Sequence, residues 1–64
     1  MDEQTRERIV TLAARVLDLV NQTAHEARKT AVDAPYMCEL LARIDVNVCE
    51  MRTVARQDIL KMSA

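Results

Sequence analysis

The chain has 64 residues, half of them apolar, with nine basic and ten acidic side chains and a net charge of −1. It can form one small domain at most, its interleaved charges give neither a polyanion-binding stripe nor an acidic tail, and it is too apolar for a disordered segment. Its own core is expected to supply no more than ~3–5 kcal/mol, and two cysteines with one histidine offer little for a disulfide or metal framework, so association with another chain is the expected remedy.

The opening Met1-Asp2-Glu3-Gln4 is acidic and polar, unlike the basic and apolar regions of a signal peptide. No apolar run approaches the ~20 residues that span a bilayer. A soluble, cytoplasmic protein without membrane contact is the expectation.

The first helical segment is predicted over about residues 3–31. At 100° per residue, Ile9, Val10, Leu12, Ala13, Val16, Leu17, Leu19, Val20, Ala24, Ala27 and Ala31 share an arc of roughly 180°, wider than the ~100° stripe that one neighbour covers. Glu7, Arg8, Arg15, Asp18, Gln22, His25 and Lys29 occupy the other side. The arc is rich in Leu, Val and Ile up to Val20 and in Ala and Thr from Thr23 to Ala31, so a close approach of the second helix is expected near the break.

The break itself, about residues 32–35, contains the only proline, and no glycine occurs anywhere in the chain. Proline is tolerated in the first turn of a helix and disfavours helical geometry in the residue before it. Asp33 is a good N-cap, because its carboxylate can accept from the N–H groups two or three residues on. A short connection between two helices makes them antiparallel neighbours.

The second helix is predicted over about residues 35–62. Tyr36, Met37, Leu40, Leu41, Ile44, Val48, Met51, Val54, Ala55, Ile59 and Met62 fall within about 140°. From Met37 the spacing alternates four and three, as in a coiled-coil seam. Large residues from Tyr36 to Leu41 are expected to face the small ones from Ala24 to Ala31. A hairpin centred near Asp33 would also set Asn47 opposite Val20 and Asn21, and Asp58 opposite Arg6 to Ile9; the two polar residues are either edge positions with solvent access or register-setting contacts, Asp58 with Arg6 or Arg8.

Cys38 and Cys49 lie three helical turns apart, about 16 Å along the axis, too far for a disulfide within one helix. With Ala42, Val46 and Leu60 they form a back strip edged by Asp45, Arg52 and Arg56. This strip is either a row of reduced small hydrophobes or a secondary apolar surface for a partner. His25 has no serine beside it and no ligand set around it, and phosphate loops, zinc motifs and paired catalytic carboxylates are missing from the sequence. The expectation is a protein that is not an enzyme and needs no metal or cofactor. Basic residues are scattered and no aromatic accompanies Arg52 and Arg56, so nucleic acid is not the expected partner. Tyr36, the one aromatic, is either a cap on the core or, with Met37 at the hairpin tip, an anchor for a protein partner.

The two-helix plan resembles the plasmid RNA-binding hairpin Rop, which dimerises into an antiparallel four-helix bundle. Hairpin co-chaperones of type III secretion and phage-encoded inhibitors of host regulators share it. The resemblance is one of architecture over the whole chain, with no motif matched residue by residue, and the basic face with an aromatic that Rop-like RNA binding implies is missing. It points to a bacterial or phage setting.

The resulting expectation is an all-α antiparallel hairpin that homodimerises into a four-helix bundle, with Ile9, Leu12, Val16, Leu19, Leu40, Ile44 and Met51 in the core. As a regulator it would bind a protein as an inhibitor, anti-activator, adaptor or co-chaperone, through Tyr36, Met37, Cys38, Ala42, Val46, Cys49, Arg52 and Arg56. The alternative is a Rop-like nucleic-acid-binding regulator.

Overall fold

A computed structural model describes residues 1–63 of the chain, and the side chains of residues 1–62. Two helices, α1 (Glu3–Ala27) and α2 (Ala34–Ser63), pack side by side as a hairpin.

Each helix begins on an aspartate. Asp2 caps α1 by accepting the Thr5 N–H at 2.7 Å, and its own carbonyl accepts from the Arg6 N–H. Asp33 does the same for α2: its carboxylate accepts the Tyr36 N–H at 3.1 Å and its carbonyl accepts the Met37 N–H at 2.9 Å. Pro35 sits in the first turn of α2, where a missing N–H removes no helical bond. Ala34, despite preceding proline, is already helical.

The end of α1 departs from expectation. The helix stops at Ala27 and not near residue 31. Its last N–H groups tighten onto carbonyls three residues back, Arg28 onto His25 and Lys29 onto Glu26, which closes a helix without a left-handed residue. No described residue has positive φ. The connection, residues 28–33, is therefore centred earlier than Asp33, and this moves the register. Arg8 comes opposite Glu50 and Gln22 opposite Tyr36. Asp58 lies beside the N-terminal ammonium of Met1, at 3.8 Å, and not beside Arg6 or Arg8. Asn47 bonds to the Arg43 carbonyl in its own helix and shares a groove with Arg15, below the level of Val20. Ala24, Ala27 and Ala31 are exposed, so they do not receive the bulky residues of α2.

The hairpin buries few side chains. Among the described residues, Leu12 (2% exposed) and Leu40 (0%) are the buried apolar ones. Ile9, Val16, Leu19, Ile44 and Met51 are half-buried along the same contact. The molecule measures 53 × 17 × 11 Å, one helix thick, whereas a domain is normally built from two packed layers.

Candidate functional site

The turn end holds a polar cluster organised by Glu26. This carboxylate is 3% exposed. One oxygen accepts the Asp33 N–H at 2.9 Å, and the other meets the Lys29 ammonium at 2.8 Å. These contacts keep the Glu26 carboxyl below its ordinary value, with Lys29 the larger cause and the Asp33 N–H next; burial opposes them. The same pair raises Lys29. Glu26 thus fastens the start of α2 to the end of α1. The sequence carried a signal for it that was missed: Leu12, Leu19 and Glu26 are seven apart, so Glu26 continues the stripe that faces α2.

Beside this lock stands Tyr36, 39% exposed. Its hydroxyl donates to the Gln22 carboxamide oxygen at 3.5 Å, a long bond. Asn21, Gln22, His25, Glu26, Lys29 and Tyr36 line an open groove of about 290 Å³. Tyr36 therefore stands over the polar flank, while the neighbouring Met37 turns into the half-buried contact.

The flank that carries Tyr36 is polar along its length. Arg8 meets Glu50, Gln22 donates to Asp18 at 2.8 Å, and Arg43 pairs with Glu39 at 2.8 Å. A shallow groove of about 410 Å³ runs between Arg15, Asp18, Leu19 and Gln22 of α1 and Arg43, Val46 and Asn47 of α2.

The opposite flank is apolar. Stepping 100° per residue from the contact stripe of each helix places Val10, Ala13, Leu17, Val20 and Ala24 of α1 on the same side as Leu41 and Val48 of α2. Leu17 is 63% exposed, and Val10, Val20 and Leu41 are exposed as well. The back strip of α2 forms a separate surface: Cys38, Ala42, Val46, Cys49, Arg52, Arg56 and Leu60 are all exposed, and both thiols are free. The structure therefore separates the partner-binding candidates into two places, Tyr36 at the tip and the other exposed residues on the back of α2.

Among the described residues, no group of His, Cys, Asp or Glu is arranged to hold a metal ion. No described helix is long and apolar enough to cross a membrane. No protein family, curated protein or solved structure matches this chain.

Proposed function

We propose that this hairpin is half of a homodimeric four-helix bundle that works as a non-enzymatic interaction module, binding a protein partner as an inhibitor, adaptor or co-chaperone. The observation that carries the proposal is the amount of surface left uncovered. The chain exposes 5006 Å², whereas a compact monomer of 7.3 kDa exposes about 4,200 Å². The excess, on the order of 800 Å², is the area that each partner contributes to a standard protein interface. A second layer on the apolar flank would remove it and give the hairpin the two-layer build of a domain.

Dimerisation on that flank leaves the tip and the back strip facing outward. Tyr36 is the preferred anchor, since it combines an exposed aromatic ring with a hydroxyl held at the rim of a groove, the residue type that dominates interface energetics. Capture of partners from the native host by the tagged protein, repeated with Tyr36→Ala, tests this. The expected result is a loss of about 2 kcal/mol or more in partner affinity with the thermal midpoint little changed. Undiminished binding combined with lower stability would instead make Tyr36 a cap on the hairpin core.

A further inference from the structure

From the distribution of exposed residues we infer that the second copy docks antiparallel on the apolar flank, α1 against α1, about a two-fold axis at the level of Arg15. This inference rests on the dimer proposed above and adds its geometry.

Two independent features of the flank fit this arrangement. The first is the seam on α1. Val10, Ala13, Leu17 and Val20 are spaced three, four and three apart, which keeps a stripe facing one partner helix. An antiparallel copy centred at Arg15 sets Leu17 against the partner's Ala13, and Val10 against its Val20. The largest exposed side chain of the seam thus meets the smallest, twice, by symmetry.

The second feature is charge. Glu3 and Arg28 stand at opposite ends of α1 on the outer edge of the seam, and neither takes part in an ion pair among the described residues. The antiparallel copy brings each Arg28 within a turn of the other chain's Glu3. The alternative two-fold, with α1 lying over the partner's α2 at equal height, sets Arg6 against Arg52 across the interface, because the observed register puts these two at one level.

A distance across the dimer tests the geometry. Thr30, exposed in the turn, is replaced by cysteine in a Cys38→Ala/Cys49→Ala background and given a nitroxide label. Pulsed dipolar spectroscopy is combined with sedimentation of the same sample. The antiparallel dimer places the two labels at opposite ends, about 40 Å apart at 1.5 Å per residue. A dimer with labels closer than about 25 Å would have its turns at one end, which overturns this geometry and leaves the dimer standing. A folded monomer in the sedimentation record overturns both.

Discussion

On one flank of the hairpin Arg8 meets Glu50, Gln22 meets Asp18 and Arg43 meets Glu39; on the other, Val10, Leu17, Val20 and Leu41 are exposed to solvent. Both flanks arise from the same two helices and the same register. The side chains of the polar flank pair with one another within the single chain. The apolar flank leaves Val10, Leu17, Val20 and Leu41 open to solvent, and the proposed second copy would cover them. In a protein this small the hydrophobic pattern can thus specify a surface that the single chain cannot bury, and the difference between the flanks predicts how differently they respond to substitution.

The largest response is expected at Leu17. Burying a leucine contributes ~1.5–3 kcal/mol, and two-fold symmetry counts it twice. Leu17→Asp should therefore raise the dimer dissociation constant by about 100-fold or more, seen as loss of the concentration dependence of the thermal midpoint. If Leu17→Asp leaves association intact, the apolar flank is not the interface and the comparison breaks.

Glu26 comes next, because it joins the flanks at the turn. Glu26→Gln keeps an acceptor for the Asp33 N–H and loses the charge that holds Lys29, and the midpoint at neutral pH should fall by on the order of 5 °C. The sign of the pH dependence follows from the depressed carboxyl. Glu26 ionises below its ordinary value of 4.5, so its contribution is fully present above that pH and disappears as the pH falls through the folded value. Asp2, held below its ordinary 3.8 by the Thr5 N–H, adds a loss of the same sign in a slightly more acidic window. Thermal melts between pH 6 and pH 3 should show a shallower decline for Glu26→Gln than for the unsubstituted chain. Parallel curves would remove Glu26 from this role.

The smallest response is expected on the polar flank. Arg8 and Glu50 are both substantially solvated, and an exposed pair contributes about 0.5 kcal/mol or less. Arg8→Ala should leave both association and the melting curve nearly unchanged. A large effect on dimerisation would move the interface to this side.

The hairpin was legible in the sequence for concrete reasons. Asp33 and Pro35 announce the start of α2, and the spacing of Leu12, Leu19, Leu40 and Ile44 announces which stripes meet. The end of α1 was not legible, because no glycine marks it and Thr30 to Val32 can continue the apolar arc. The helix closes through the Arg28 and Lys29 N–H groups turning onto carbonyls three residues back, and the Glu26 carboxylate then holds a backbone N–H seven residues on, a contact that exists only after the chain has turned. That one boundary sets the register: a break centred near Asp33 places Asp58 beside Arg6 and Arg8, whereas its neighbour is the Met1 ammonium, and it faces the alanines near the turn toward α2, whereas they are exposed. Tyr36 and the back strip were identifiable as separate outward-facing places by periodicity along α2, whereas the position of Tyr36 beside Gln22 depends on the register and so emerged only with the structure.

The central claim is that this hairpin is one layer of a two-layer protein. Sedimentation equilibrium across about 1 to 100 μM tests it most directly, with circular dichroism on the same samples. The expected result is a helical species of twice the 7.3 kDa chain mass in the micromolar range, whereas a fully helical species that stays at the single-chain mass up to the highest concentration would contradict it.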